Sequence, residues 1–255
     1  MRHVLRFVLV VFAFAALCAP ASAVTNGFPD ADHPYVGLLA EGVDGQFVEV
    51  CSGFLVSPRV LVTSAHCTAQ IQDDGGTPVV SFAPVFDPSA ELVSGVAVTD
   101  PDFVVTAKTV QNDLGVVLLD QAVTGVGSAQ LPAAGLLDTL TKRGVNSRGL
   151  TIVGYGASGF THGGGKPQPV FTDTRQMATT QLTNLKGALA DGDNLRMSSS
   201  PSGVCFGDSG GPVLLGSSET VVGVTSFAVN RNCDGGAVAA RLDTPAALGF
   251  LAPFL

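Results

Sequence analysis

The stretch GVCFGDSGGPVL, Gly203 to Leu214, places one acidic residue and one serine among four glycines. Aspartate, serine and glycine are all common turn residues, so each could be an ordinary turn residue. A glycine-rich turn also allows a side chain to project into a cleft while a substrate backbone approaches closely. The stretch therefore makes Ser209 a candidate nucleophile, provided that the chain also supplies a base.

Two upstream segments supply the groups that such a serine needs. His66 lies in LVTSAHCTA, and Asp113 lies in TVQNDLGVVLLD just ahead of an apolar run. A serine hydroxyl attacks a carbonyl when an imidazole takes its proton and a carboxylate orients that imidazole. Taken singly, His66 could be a buried structural histidine and Asp113 a turn or cap residue. Together with Ser209 they predict a nucleophilic hydrolase.

The composition favours a compact β-rich protein. The 255 residues include 31 Gly and 15 Pro, and only 13% are charged, which is typical of neither a helical bundle nor a disordered chain. Short valine-rich runs alternate with turn signals, as in barrels and sandwiches.

The segments Gln72–Pro78 and Gly154–Pro169 are predicted to be exposed loops. A short helix is predicted near the C-terminus, with Thr244 as its cap and Pro245 at its first position.

Residues 1–23 have the pattern of a secretory signal peptide: a basic start, a ten-residue apolar core and a small-x-small cleavage site. A lipid anchor on Cys18 is the alternative, although the large Leu17 before it is unusual at such sites.

Without residues 1–23 the net charge falls from −8 to −10, because this segment carries two arginines and no acid. That charge argues against nucleic-acid binding. We expect a secreted, extracellular protein with no membrane association after cleavage.

Four cysteines remain after that cleavage: Cys51, Cys67, Cys205 and Cys233. Secretion favours disulfides, and four cysteines allow three pairings. A metal site is not indicated, because no CxxC pair exists and the remaining histidines are scattered.

The motifs TSAHC, NDLGVVLL and GDSGGP, in this order, resemble the catalytic motifs of the chymotrypsin-like (trypsin-type) serine protease family. VTNG after the predicted cleavage site and CSGFLVSPRVLVTSAHC add to the resemblance. It implies two antiparallel β-barrels packed together, with the active site in the cleft between them. It also implies peptide-bond hydrolysis through an acyl-enzyme, with His66 as base, Asp113 as its orienting acid and Ser209 as nucleophile. No cofactor is expected.

The resemblance assigns further roles by position. The N–H groups of Gly207 and Ser209 would form the oxyanion hole, and Asp208 would pair with an ammonium group freed at Val24. VTNG departs from the family's usual IVGG at its second and third residues. The implied disulfides are Cys51–Cys67 and Cys205–Cys233.

The resemblance also locates the specificity pocket. Gly203 would lie at the pocket floor beside Val204, and either Gly236 or Ala237 would form the wall opposite the segment TSFA, residues 225–228. Of those, Ser226 and Ala228 would pair with the substrate backbone and Phe227 would line the next subsite. This pocket predicts a preference for uncharged apolar side chains. The alternative is that Asp234 reaches in and selects basic residues.

The expected organisation is an N-terminal barrel over residues 24–125 and a C-terminal barrel over 126–255, forming one peptidase domain. The expected partners are protein or peptide substrates and protein inhibitors, and the protein is expected to be a monomer. Ester hydrolysis as a side activity is left open. The alternative function is that of a catalytically silent homologue that acts in binding or adhesion.

Overall fold

Two closed antiparallel β-barrels form most of the structure, a computed structural model. It describes residues 24–43, 46–90, 92–106, 109–140, 144, 148–161 and 166–255, so the predicted signal peptide lies outside it. The strands are β1 Phe28–Pro29, β2 Val36–Val43, β3 Gln46–Ser57, β4 Val60–Thr63, β5 Thr77–Ser81, β6 Val93–Thr99, β7 Val104–Val105, β8 Val110–Gln111, β9 Gly115–Leu119, β10 Gly149–Gly154, β11 Gly159–Phe160, β12 Pro169–Val170, β13 Gln176–Asn184, β14 Asn194–Met197, β15 Pro212–Leu215, β16 Val221–Ala228 and β17 Ala237–Arg241. The helices are α1 Ala65–Asp74 and α2 Pro245–Leu251.

The first barrel has the strand order β2-β3-β4-β9-β6-β5 and closes where β2 pairs with β5. The second has the order β13-β10-β15-β16-β17-β14 and closes where β13 pairs with β14. Valine-rich strands suit this architecture, because β-branched side chains pack well on a pleated surface. The predicted all-β fold of two barrels with a short C-terminal helix is confirmed.

A continuous apolar core joins the two barrels. One buried cluster contains Leu38 and Val116 of the first barrel together with Leu214 and Val224 of the second, and it extends to Leu251 of α2. Burial of this kind contributes about 25 cal/mol for each Å² of apolar surface removed from water. The shared core holds the two barrels, and the cleft between them, in a fixed relation.

The start of the described chain lies against the second barrel rather than the first. Val24 is buried in that barrel's core, Thr25 forms a β-bridge with Gly203, and β1 pairs with β13. The first barrel's last strand ends at Leu119 and the second barrel's first closed-barrel strand begins at Gly149. The exact domain boundary at residue 125 stays a prediction.

Helix α1 was not predicted, and it corrects the interpretation of Gln72–Pro78 as a loop. The helix continues to Asp74, and Gly75 ends it in the left-handed conformation at φ 69° with its N–H bonded to the Gln72 carbonyl. The buried face is small, which explains the weak periodicity. At the C-terminus, Thr244 caps α2 by accepting a hydrogen bond from the Ala247 N–H, as predicted.

The Gly154–Pro169 segment is also not a uniformly exposed loop. Its first residues are buried: Tyr155 and Ala157 are fully enclosed, and Gly156 is buried with them. These residues pack beneath the glycine-rich turn around Asp208 and therefore support the turn that carries Ser209. Across the described residues, no helix has the length and apolar character needed to cross a membrane.

Candidate active site

A buried carboxylate holds the imidazole at the start of α1. The His66 Nδ1 lies 2.9 Å from Asp113 Oδ2, and the His66 backbone N–H donates to Asp113 Oδ1 at 2.9 Å. The Ser226 hydroxyl donates to the same carboxylate. Burial opposes ionisation of Asp113, but the hydrogen bond and charge of His66 and the Ser226 hydroxyl hold its pKa below the usual value. With Nδ1 directed to Asp113, Nε2 is left to face the cleft.

Ser209 lies in the same cleft as His66, and both line one hollow. Its hydroxyl donates to the Ser226 carbonyl at 3.2 Å, and within the described part of the chain it makes no hydrogen bond to the His66 ring. Catalytic hydrogen bonds are often long or misaligned before substrate binds. The fold thus brings together three residues that are far apart in sequence.

The turn that carries Ser209 depends on glycine. Gly210 has φ +82°, and a side chain there would overlap Thr63 Oγ1 and the Ser52 carbonyl. The Asp208 N–H bonds to the Cys205 carbonyl at 3.1 Å, which tightens the turn. Both the backbone conformation and the close approach of the first barrel therefore require glycine at this position.

The same turn orients two backbone N–H groups. The Phe206 carbonyl accepts from the Ala157 N–H at 2.7 Å, and the Asp208 carbonyl accepts from the Gly211 N–H at 3.0 Å. Because a trans peptide is planar, the N–H groups of Gly207 and Ser209 point opposite to those two carbonyls. Neither N–H makes a hydrogen bond within the residues that the structure describes.

Ser52 supports this turn from the first barrel, a role that the sequence did not indicate. Its N–H donates to the Ser209 carbonyl at 2.7 Å, and its hydroxyl donates to the Gly207 carbonyl at 2.9 Å. The same hydroxyl accepts from the Tyr155 N–H at 2.9 Å. Serine is too common to signal such a role, and only its place beside Cys51 in the histidine motif could have suggested it.

Asp208 is enclosed directly behind the turn. Its carboxylate accepts from the Gly156 N–H at 2.9 Å and from the Cys205 N–H at 2.8 Å. Burial raises its pKa to about 7, although these two hydrogen bonds act in the opposite direction. A side chain at Gly156 would overlap Asp208. Val24 is buried on the same barrel, where Thr25 pairs with Gly203, five residues before Asp208.

Both disulfides that the resemblance implies are present in the structure, Cys51–Cys67 and Cys205–Cys233. The first fixes β3 to the start of α1, and the second fixes the serine turn to the segment after β16. The sulfurs of Cys51 and Cys67 lie near the His66 ring. A disulfide offers no thiolate to a metal ion, so this cluster is not a metal site of the usual kind.

A comparison with protein-family models matches residues 26–247 to the family described as Trypsin. This chain belongs to the trypsin family. Brachyurin of Leptuca pugilator is 27% identical over 193 residues, which cover 73% of this chain and 79% of the relative. Among solved structures, HL collagenase superposes with a TM-score of 0.67 at 20% identity, covering 86% of this chain and 94% of the other.

Human heparin binding protein also superposes, with a TM-score of 0.67 at 18% identity, covering 91% of this chain and 96% of the other. Mouse neuropsin does so with a TM-score of 0.65 at 19% identity, covering 86% and 95%. At such low identity the structural likeness shows the fold alone. The family assignment rests on the Trypsin match over most of the chain.

The cleft of this trypsin-family chain contains a hollow of about 440 Å³ beside the end of β16. Ser226, Phe227 and Ala228, which were predicted to bind substrate, line it. Gly203, Val204 and Ala237 do not: Gly203 pairs with Thr25, and the other two are buried in the core of the second barrel. Their role in specificity stays a prediction.

A second hollow, of about 540 Å³, adjoins the first at His66 and Ser209. It shares His66, Phe206 and Ser209 with the first. Its further lining consists of Cys51, Gln70, Phe171, Asp173 and Gly207. Volumes of this size are typical of ligand-binding clefts.

Proposed function

We propose that this chain is a serine endopeptidase that cleaves peptide bonds through an acyl-enzyme on Ser209. The observation that carries the proposal is the contact of His66 Nδ1 with the buried Asp113, in a cleft that also contains Ser209. The family membership gives the reaction class, a serine protease.

In the proposed first step, the Ser209 hydroxyl turns from the Ser226 carbonyl towards His66 Nε2 and attacks the substrate carbonyl carbon. His66 takes the hydroxyl proton, and Asp113 stabilises the imidazolium without itself becoming protonated. The free N–H groups of Gly207 and Ser209 would bind the oxyanion, and one such donor contributes about 10²–10³ in rate. His66 then gives its proton to the leaving amine. In the second step water attacks the acyl-enzyme, with His66 again as base.

The proposed preference is for an uncharged apolar side chain before the cleaved bond. The lining beside β16 includes Thr225, Ala228 and the Cys205–Phe206 segment. Among its described residues no carboxylate is present that could neutralise a buried lysine or arginine. Asp234, the acid that could reverse this preference, does not line the hollow, and its carboxylate accepts from the Asn230 amide. A peptide library in which cleavage after Arg or Lys dominates would contradict this preference.

The proposed setting is extracellular. Removal of residues 1–23 would release the protein with Val24 at its start, and peptide substrates and protein inhibitors would be its partners. The protein would act as a monomer, since both hollows are formed by one chain.

The proposed function is tested by active-site labelling. Protein beginning at Val24 is incubated with a fluorescent organophosphate, and the labelled peptide is located by mass spectrometry. Label on Ser209, lost in Ser209→Ala and accompanied by hydrolysis of a denatured protein substrate, supports the proposal. Correctly folded protein that takes no label and cuts no peptide would contradict it and favour a silent homologue.

A further inference from the structure

The two hollows that meet at His66 and Ser209 carry opposite charges in the rest of their linings. Leaving His66 aside, Arg231 is the one ionisable side chain among the described residues that line the hollow beside β16. Asp173 is the one ionisable side chain in the corresponding lining of the second hollow. The rest of both linings is apolar or uncharged, with Phe206 shared between them. A peptide lying across the cleft would meet a cation at one end and an anion at the other.

The chemistry of the proposed function gives this charge pattern a direction. The half of the substrate that stays on Ser209 lies along β16, where Ser226 and Ala228 offer an open strand edge. The half that leaves takes its proton from His66 and lies on the side of α1, towards Gln70 and the second hollow. Arg231 therefore faces residues before the cleaved bond, and Asp173 faces residues after it.

We infer that this cleft selects peptides with an acidic residue about three positions before the cleaved bond and a basic residue about two positions after it, recognised by Arg231 and Asp173. The residue directly before the bond remains apolar, as proposed above. The inference rests on the proposed function and adds a substrate class to it. The family fold alone does not give this pattern, because both charges belong to side chains of this particular chain.

Both side chains are free to make these contacts. Within the part of the chain that the structure describes, neither Arg231 nor Asp173 forms an ion pair, and both are exposed. The backbone of Asp173 is fixed, because its carbonyl accepts from the Phe86 N–H at 2.7 Å. That bond holds the Asp173 backbone, and with it the base of the side chain, beside the cleft.

Two acids belong to segments that adjoin this hollow without lining it: Asp234 follows Arg231 by three residues, and Asp191 bonds to the residues on either side of the lining residue Val110. The Asp234 carboxylate accepts from the Asn230 amide. Asp191 accepts from Thr109 and Gln111, each at 3.3 Å. The chain as a whole is negative, at −8. Arg231 is nonetheless nearer the bound peptide than either acid, since it alone contributes to the lining, and near charges dominate at physiological salt, where screening acts over about 8 Å.

The expected effect is modest, because both side chains are exposed to water. Exposed charge pairs of this kind change an equilibrium by about twofold to fivefold. We expect each favourable charge to raise kcat/KM by that factor and both together by the product, since the two sites are independent. The effect should diminish in about 0.5 M salt.

The test uses four internally quenched peptides that share the central residues of the best apolar substrate from library profiling. Each carries Glu or Lys three residues before the cleaved bond, and Lys or Glu two residues after it. The wild-type protein should cleave the Glu-before, Lys-after peptide fastest and the reversed peptide slowest.

Two variants separate the contributions. Arg231→Gln should remove the preference before the bond and leave the preference after it. Asp173→Asn should do the opposite, and asparagine is chosen because residue 173 has φ 52°, which asparagine tolerates and lysine does not. Arg148→Glu is the matched control: it changes an exposed arginine that lines neither hollow, and it should leave the ranking unchanged.

Equal rates for the four peptides, a preference for Lys before the bond, or an equal shift in Arg148→Glu would overturn the inference. These results would leave the proposed function standing, because the peptides would still be cut. Failure to cut any of the four, or any library peptide, would instead count against the proposed function itself.

Discussion

The Ser226 hydroxyl donates a hydrogen bond to the buried Asp113 carboxylate, while the Ser226 carbonyl accepts one from Ser209. A single residue near the end of β16 therefore contacts both the orienting acid and the proposed nucleophile. Ser226 was predicted only to pair with the substrate backbone. Its side chain has a second role, because its hydroxyl is one of the hydrogen-bond donors to the fully buried Asp113 carboxylate.

Ser226→Ala should lower kcat by about tenfold with little change in KM. The Asp113 carboxylate would lose one of its donors, and hydrogen bonds to charged groups contribute about 1.5–3 kcal/mol. Steady-state kinetics on a peptide substrate would measure the change, with Ser218→Ala as the control. Ser218 is exposed, lines neither hollow, and its hydroxyl bonds locally, donating to the Leu215 carbonyl and accepting from the Thr220 N–H. A rise in KM alone would show that Ser226 acts on substrate binding instead.

The proposed triad should behave as one unit. Ser209→Ala and His66→Ala should each remove most of the activity, and the double variant should be little worse than either, because the remaining groups cannot compensate. Single-turnover measurements on purified proteins would test this. Additive losses in the double variant would show that the two residues contribute independently.

The sequence predicted the fold and the proposed catalytic residues because their motifs are local and specific. The side chains of Ser52 and Ser226 could not be predicted in the same way. Their hydrogen bonds depend on how one barrel packs against the other, and a serine between apolar residues carries no signal of its partner. The proposed reacting groups could therefore be named from the sequence, where they stay a prediction, whereas part of what orients them could not.

The predicted specificity pocket illustrates the same limit of prediction from sequence. The resemblance places Gly203 and Val204 at the floor and Gly236 or Ala237 in the opposite wall, and these roles stay predictions. In the structure Gly203, Val204 and Ala237 are buried, and none of them lines the hollow beside β16. Whether a residue lines a pocket depends on neighbouring side chains and on the path of the first residues of the chain. Here Thr25 pairs with Gly203, a contact between residues far apart in sequence.

A buried ion pair ties the start of the chain to both barrels, and breaking it should be costly. Arg175 Nε lies 3.1 Å from Asp30 Oδ2, and its Nη1 donates to the carbonyls of Val36 and Phe82 at 3.2 Å. Arg175→Ala would leave Asp30 buried without this cation. We expect a loss of about 3–5 kcal/mol in the free energy of unfolding, measured with urea. Arg148→Ala, at an exposed site, should change it by less than about 0.5 kcal/mol.

His33 should make stability depend on pH. Burial opposes protonation of His33, but the hydrogen bond and charge of Asp30, with the charges of Glu219 and Asp32, raise its pKa above 6.5. The folded state then keeps this proton to a higher pH than the unfolded state. The stabilisation is complete below about pH 6.5 and is lost as the pH rises through the folded pKa.

The test is the free energy of unfolding from pH 6 to pH 9 for the wild type and for His33→Gln. The wild type should lose stability over this range, and the variant should lose less. Parallel pH profiles would show that His33 does not carry the effect. Asp30 affects stability at acid pH. Its pKa is lowered in the folded state, so its stabilisation is present above about pH 3.8 and is lost as the pH falls through the folded pKa.

The last prediction concerns Asp208 and the freed start of the chain at Val24. Among the residues that the structure describes, Asp208 is buried with two N–H donors and no cation beside it, and its pKa is raised to about 7. The folded state therefore binds a proton more tightly than the unfolded state. Stability of a chain extended before Val24 should fall as the pH rises from about 4 to 7, and should level off above that.

Cleavage before Val24 should restore the stability that the extended chain loses towards pH 7, and it should also raise the activity above that of the extended chain. A new ammonium group paired with Asp208 would lower its pKa and hold the turn that carries Gly207 and Ser209. We expect protein beginning at Val24 to be at least about tenfold more active than protein with two residues added before it, since losing one partner of a buried pair costs several kcal/mol.

Asp208→Asn provides the matched control, because it removes the charge and keeps the shape. In the extended chain it should abolish the fall in stability between pH 4 and pH 7, and in the chain beginning at Val24 it should cut activity strongly. Equal activity of the extended and cleaved proteins would rule out the proposed ion pair. A fall in stability that persists in Asp208→Asn would assign the pH dependence to another group.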